Sequence, residues 1–463
     1  MLLMCSACKS SDSPKKSSEK EKKQETSSEI SIPYAREDGI NPFLSSSLMN
    51  EKIVPLIYSG LFKIDVHFTP TNDLATGITY DGVRAVVTLN TSRSFSNGKR
   101  VSADDVVYSF NMAKQSPYFT TALENISACN AASYDKVEFI LPYPNVYVAA
   151  ALTFPICPSH SADSVTDIPA GAGQYVYSAT ADGGTLTPNP YFPSTAQPLS
   201  KVKLVNIQDN KTLHFNRVIG NVSAVFDDFA KGESTRISGG CTNVDLNNLV
   251  YIGINEKAPL FGNAELRRNL YCALDRAELL SAGFEGYGAV TDIPFNFNWF
   301  PVENQKGNQI KRSEAKDFIR SHITKYVATI LVNSDNNFKV KLAENLASQL
   351  NAMGVSTKIE SVAFGVYKNG VAAGRYDLYI GEYKMTNDMN ISELLSEADV
   401  LSNYYAMLAG TTKPEDFIKV FNETQPFIPV CMRYGVIAYT PALESAVKPL
   451  PNNPFANLAE WFI

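Results

Sequence analysis

The sequence predicts a mixed α/β protein built from more than one lobe, and three observations carry that expectation. The first is size: 463 residues exceed what one ordinary core organises, and a 44% hydrophobic content with 25 Phe and 23 Tyr supplies apolar surface for several cores. The second is a strand–helix–strand pattern at residues 327–362. Val327-Ala-Thr-Ile-Leu-Val332 is a short β-branched apolar run, and the Asn and Asp residues at 333–337 offer helix caps. Leu342, Leu346, Leu350 and Met353 then recur at helical spacing, Gly354 supplies a stop, and Val355-Ser-Thr-Lys-Ile359 reads as a second strand. Two strands joined through a helix imply parallel pairing with a right-handed crossover. The third is a helix start at Phe95–Phe110. Asn97-Gly98 is a tight-turn dipeptide, Ser102 and Asp105 have capping-box spacing, and Val106, Phe110 and Ala113 share one helix face.

Composition removes several function classes. A net charge of −6 and a pI near 5.5 provide no basic field for a phosphate backbone, so nucleic acid is not an expected partner. Of seven cysteines, Cys129, Cys157, Cys241, Cys272 and Cys431 are scattered without metal-ligand spacing and are expected to be buried small hydrophobes rather than disulfides. His67, His160, His214 and His322 lie far apart with no HExxH or HxH grouping. No metal and no cofactor are expected. No G-x-S-x-G, phosphate loop or histidine paired with a nucleophile motif is present, so an extracellular hydrolase is the weaker alternative and the protein is expected not to be an enzyme.

Residues 1–8, Met-Leu-Leu-Met-Cys-Ser-Ala-Cys, look like the end of a bacterial lipoprotein signal, in which a cysteine after small residues receives lipid. Cys8, preceded by Ala7, is the expected attachment point; Cys5, with Leu2 three residues upstream, is the alternative. Residues 9–29 contain only Ser, Thr, Lys, Glu, Gln, Asp and Pro, which have too little to bury to offset their ordering entropy, and are expected to form a disordered tether. No later stretch approaches the roughly 18–20 apolar residues needed to span a bilayer.

Segment 95–110 also resembles the F-x-(D/N)-G-x-x-(V/L)-(T/S)-A-x-D-V-x-x-(S/T)-F signature of bacterial extracellular solute-binding proteins of the peptide and nickel type. Other segments agree in order and spacing. Ile40-Asn-Pro-Phe43 and Leu56-Ile-Tyr-Ser-Gly-Leu-Phe62 lie upstream; Phe154-Pro-Ile-Cys-Pro-Ser-His160, Gly171-Ala-Gly-Gln-Tyr175, Pro188-Asn-Pro-Tyr191, Tyr251-Ile-Gly-Ile-Asn255 and Leu266–Arg276 lie downstream. Most of these read as turns, caps and core helices, so they identify a scaffold rather than a site. The resemblance implies a two-lobed periplasmic-binding-protein-like fold, type II or cluster C, with an extra domain beside the first lobe. By that analogy residues 30–60, 166–250 and 435–463 form the first lobe, 61–165 the extra domain and 251–434 the second lobe, with a hinge at Tyr251–Asn255. It further implies a monomeric, lipid-anchored subunit on the extracellular face of the membrane, or in a periplasm, which captures a peptide or other small solute for ABC permease and ATPase subunits. A surface lipoprotein that senses peptides would need the same cleft.

In peptide-binding relatives a G-W-x-x-D-Y-x-D-P-like stretch supplies an aspartate for the peptide's amino terminus. Aligning on Gly381 puts Glu382 at the tryptophan and Met385 at that aspartate. A thioether cannot replace a carboxylate opposite an ammonium. The resemblance therefore points to Glu382 or Asp388 as a shifted anchor, or to a ligand without a free amino terminus; solvated loop carboxylates are the plainer reading of both. Tyr383 is expected to stack on ligand. Ser46, in the serine run Ser45–Ser47, falls near a first-lobe ligand-contacting segment of the family.

Overall fold

The computed structural model describes residues 29–193, 200–233, 237, 239–323 and 325–461. The expected anchor at Cys8, its alternative Cys5 and the tether up to residue 28 lie outside them. Three main sheets organise the chain. In the first, Ile30–Tyr34 runs parallel to Val202–Asn206, which continues antiparallel through Gly183–Pro188 to Tyr175–Thr180. The second is the antiparallel set Ala75–Asp81, Arg84–Leu89, Lys136–Ile140 and Ala128–Ser133. These two sheets share one continuous core.

The helix expected after Ser102 spans Ala103–Ala113 and leans on the second sheet, where the Phe110 ring meets Phe139 edge-on at 5.8 Å. Val106, Phe110 and Ala113 are fully buried, and burying a side chain the size of Val or Phe contributes about 1.5–3 kcal/mol. The capping box forms as the spacing predicts: the Ser102 amide donates to Asp105 Oδ2 at 3.0 Å. Asp105 also receives Lys99 at 2.9 Å and the Ser159 amide at 2.9 Å, which pins the Phe154–His160 segment to the helix start. Gly98 takes φ +83°, the left-handed geometry that favours glycine in a tight turn.

The third sheet is the largest. Its order is Ala224–Asp227, Phe427–Tyr439, Gly240–Ile254, Leu378–Lys384, Val327–Asn333 and Ser356–Val362, with Gly288–Val290 also on Phe427–Tyr439. Here Val327–Asn333 and Ser356–Val362 are parallel and joined through the helix Asn337–Ala352, as the sequence pattern requires. Asn336 caps that helix by accepting from the Lys339 amide, and Gly354 ends it at φ +91°.

The strands Gly240–Ile254 and Phe427–Tyr439 pair along almost their whole length, but the register breaks between Asp245 and Asn248 opposite Arg433–Tyr434. Asn247, fully buried at φ +52°, occupies that bulge. The break precedes Tyr251–Asn255, whose ladder with Leu378–Gly381 is regular apart from one further shift against Phe427–Tyr439 at Val250–Tyr251. Among the described residues no helix is long and apolar enough to cross a membrane.

Of the five cysteines expected to be buried, Cys129, Cys157 and Cys431 are, whereas Cys272 is half-buried and Cys241 is exposed; all five are free thiols. Cys241 escapes burial because it sits at the start of the long strand, before that strand enters the core.

Candidate functional site

A cavity of about 300 Å³, within the range of small-molecule sites, opens beside the bulged strands. One wall comes from residues 51–64 with Tyr118, Phe119, Thr153, Gly173 and Gln174; the other is the short stretch Lys384–Asn387; the turn Leu450–Asn453 closes one end.

Close packing of backbone makes the first wall rigid. A Cβ on Gly171 would stand 1.9 Å from the Ile57 carbonyl oxygen, and one on Gly173 would stand 2.5 Å from the Ile57 carbonyl carbon, so the Gly171–Tyr175 turn needs both glycines. Asn189 donates to the Gly173 carbonyl at 2.8 Å. The Arg93 guanidinium bonds the Ala172 carbonyl at 3.0 Å and Ser59 Oγ at 3.2 Å while paired with Asp73 at 2.7 Å.

The opposite wall hangs from the bulge. Asn247 accepts from the Met385 amide at 2.9 Å, and its side chain donates to the carbonyls of Met385 at 3.2 Å and Thr386 at 3.0 Å. Asp245 holds this bulge, accepting from the Asn247 amide at 2.7 Å and from Asn296 at 2.8 Å.

The residues singled out in the sequence surround this wall rather than line the cavity. Glu382 is neither a loop residue nor solvated. One carboxylate oxygen accepts from Arg433 at 2.7 Å and Asn248 at 2.7 Å, and the other pairs with Lys339 at 2.8 Å. Burial acts to raise its carboxyl, but the Arg433 guanidinium and the Lys339 ammonium overcome that and hold it well below the usual carboxylate range. Arg433 also donates to the Asp228 carbonyl.

Asp388 is buried too. It accepts from Thr386 Oγ1 at 2.5 Å and from Asn145 Nδ2 at 2.9 Å, and burial pushes its carboxyl up against those bonds. The turn it belongs to docks on the chain around the second sheet, since Asn390 also donates to Glu124 at 2.9 Å. Tyr383 packs in the aromatic cluster of Met385, Met389, Tyr404 and Trp299, with its hydroxyl buried and its pKa raised by burial. Ser46 lies outside the cavity and donates to Asp38 at 3.2 Å.

Sequence reasoning missed the residues that do line the cavity. Lys384 is the clearest case, a lone cation ending the strand Leu378–Lys384. Its side chain is exposed in the cleft, where crowding by protein atoms and then the Lys52 and Arg433 cations push its pKa down to about 8 against the opposing pull of Glu51 and Asp228. A second cavity of about 120 Å³ adjoins the first, sharing Glu51 and Lys384, and is lined by Lys52, Asp228, Asn248 and Arg433. The arrangement offers a mainly apolar space, open on one side, with a few fixed polar groups.

The two walls are packed on separate hydrophobic cores and meet beside the strands Gly240–Ile254 and Phe427–Tyr439, an arrangement of the two-lobed solute-binding class. The chain belongs to the bacterial extracellular solute-binding proteins, family 5, whose middle-region model matches residues 69–394. It is 25% identical over 402 residues to the oligopeptide-binding protein AppA of Bacillus subtilis (strain 168), covering 78% of this chain and 74% of that one. In fold it is similar to the ABC transporter substrate-binding protein CtaP of Listeria monocytogenes, with a TM-score of 0.69 at 19% identity over 93% of this chain and 98% of that one. It is likewise similar to the unliganded open form of MppA, a periplasmic murein tripeptide binding protein, with a TM-score of 0.74 at 15% identity over 94% and 96% of the two chains. These likenesses establish the type II, cluster C fold.

Proposed function

We propose that this protein captures a peptide-like solute in the cavity between Lys384–Asn387 and the 51–64 wall, and delivers it to the permease of an ABC importer. The observation that carries the reading is that segments packed on separate hydrophobic cores wall one cavity of small-molecule size, so a ligand there touches both sides and favours their approach. The relatives named for oligopeptide and tripeptide binding supply the ligand class.

In this reading residues 30–60, 166–250 and 435–463 form the first lobe, 61–165 an extra domain and 251–434 the second lobe. The strands Gly240–Ile254 and Phe427–Tyr439 cross between the lobes. Glu382, Tyr383 and Asp388 serve the ligand from behind by fixing the Lys384–Asn387 wall, and Ser46 belongs to a loop on the first-lobe side. The protein works as a monomer at the extracellular face of the membrane, held by lipid on Cys8.

The test of capture is mass spectrometry of what co-purifies with the protein, followed by thermal denaturation against the compounds found. A peptide ligand should raise the melting temperature with concentration, by about 2.7 kcal/mol of stabilisation at a hundredfold excess over Kd. A co-purifying set without peptides, and no shift from a mixed peptide library, would defeat the reading. For the anchor, the full native chain should take up labelled palmitate and Cys8→Ala should lose it; loss on Cys5→Ala instead would move the attachment.

A further inference from the structure

We infer that the cleft anchors its solute through a carboxylate held by Lys384, and that a free amino terminus on the solute is not required. The inference rests on the peptide-like reading above and reverses the polarity expected of the aligned aspartate.

Most charges in and around the cavity are paired within the described chain. Lys63 is paired with Asp73 at 3.1 Å. Glu51 is paired with Lys52 at 3.2 Å. Arg433 and Lys339 share Glu382. Asp228 accepts from the Ala230 amide at 3.0 Å. Lys384 forms no ion pair with any described carboxylate; its ammonium donates to Asn452 Oδ1 at 3.2 Å. Lys384 is open to the cleft, and its ammonium has no counter-ion there, so a ligand that fills the cleft would bury an unpaired cation unless it brought an anion. A ligand carboxylate placed beside it avoids that cost.

Two further groups on the cavity wall await partners. The Tyr118 hydroxyl and Asn453 Oδ1 are both buried from water, and neither makes a hydrogen bond within the described chain. A tyrosine hydroxyl donates readily to a carboxylate oxygen, and the Asn453 oxygen accepts a peptide N–H. The set therefore matches an acid end together with adjoining backbone amide.

In the aligned stretch 382–388 nothing awaits an ammonium. Met385 is buried and apolar, and both oxygens of Glu382 and both of Asp388 are engaged by internal donors. Recruiting either carboxylate would strip a cation or a buried amide of its partner.

The carboxylate has two sources in a peptide, the carboxyl terminus and an acidic side chain, and calorimetry with N-acetylated peptides separates them. Three mixed-sequence pools are needed: neutral side chains with a free acid, the same with a terminal amide, and the amide with one glutamate. Wild-type protein should bind the free acid at least about thirtyfold more tightly than the neutral amide, as expected for a sheltered charge pair. Recovery by the glutamate pool without preference for the free acid would assign the side chain instead, and still support the Lys384 anchor. Lys384→Met should erase the preference, Lys384→Arg should keep it, and Lys384→Glu should turn it against acids. The wild-type comparison stands alone should a variant fold poorly. Neutral amides binding wild type within threefold of both acidic pools would overturn the anchor while leaving peptide capture intact, as would a preference that survives Lys384→Met. If no acetylated pool binds but the same peptides with free amino termini do, the amino terminus is required and the inference fails while peptide capture stands; if neither form binds, peptide capture fails with it.

Discussion

Replacing Glu382 by glutamine tests the structural core of the site. The carboxylate is the only acidic group in ion-pair contact with Arg433 and Lys339 among the described residues, and all three side chains are well buried, with exposures of 12%, 6% and 17%. Removing one member of a buried pair costs about 3–5 kcal/mol because the remaining charge loses its partner. A glutamine oxygen still accepts one of the donors, which brings the expected loss to about 2–4 kcal/mol. At roughly 2–4 °C per kcal/mol for lobes of this size, the melting temperature should fall by about 4–16 °C at pH 7. The pH dependence has a definite sign. The folded-state pKa of Glu382 is depressed, so its contribution is fully present above the ordinary glutamate range and fades as pH falls through and below it. The gap between wild type and Glu382→Gln should therefore narrow when scanning calorimetry is repeated near pH 3.5. A gap below 2 °C at pH 7, or one of constant size across that range, would refute the reasoning.

Three further outcomes follow from the packing. Gly171→Ala places a methyl group within bonding distance of the Ile57 carbonyl oxygen, so backbone must move; a loss at or beyond the upper end of the 1–3 kcal/mol typical of overpacking is expected, and a melting temperature within 2 °C of wild type would contradict it. Asn145→Ala takes one of two donors from Asp388 and should cost about 1.5–3 kcal/mol; hydrogen exchange should rise across 386–390, and unchanged exchange there would argue that the turn is held by other contacts. In native protein a thiol reagent should modify Cys241 first, while Cys129 and Cys431 stay unreacted because burial pushes their thiols up; prompt labelling of either would place it at the surface.

What the sequence disclosed was local. The 327–362 unit, the Ser102 cap and the Gly98 turn each depend on residues a few positions apart, and periodicity or capping chemistry reads such relations directly. The glycine turn at 171–175 was visible as a motif, but its reason, the backbone of Ile57, lies more than a hundred residues away. The fate of Glu382 was hidden for the same cause: Asn248, Lys339 and Arg433 meet it only when the strands align in register. Loop polarity, the plainer reading for Glu382 and Asp388, fails because both side chains turn inward to donors from distant segments. The cavity wall drew on Tyr118, Gln174, Lys384 and Asn453, which share no spacing that a linear pattern could signal. A search for a carboxylate passed over the lysine two residues from Glu382.

The bulge at Asn247 links these parts. A residue held at φ +52° within a buried ladder is tolerated only where surrounding bonds over-determine it, and here Asp245, Asn296 and the Met385–Thr386 backbone all do so. The two long strands lose their regular register at that point, so the lobe closure proposed above would concentrate its rotation there, a few residues before the expected hinge at Tyr251–Asn255. Because Met385 and Thr386 are bonded to the same asparagine, the Lys384–Asn387 wall would sit at the pivot of that closure. Displacement about a pivot grows with distance from it, so the outer parts of the two lobes would move far while Lys384 moves little. An anchor at that position engages ligand before the lobes have approached, and the approach then adds contacts without breaking the first one. The Glu382 network is tied to the same place: Arg433 lies opposite the bulge and Asn248 is its last residue, and Glu382 accepts from both, bonding the two strands to Leu378–Lys384 just beyond the bulge.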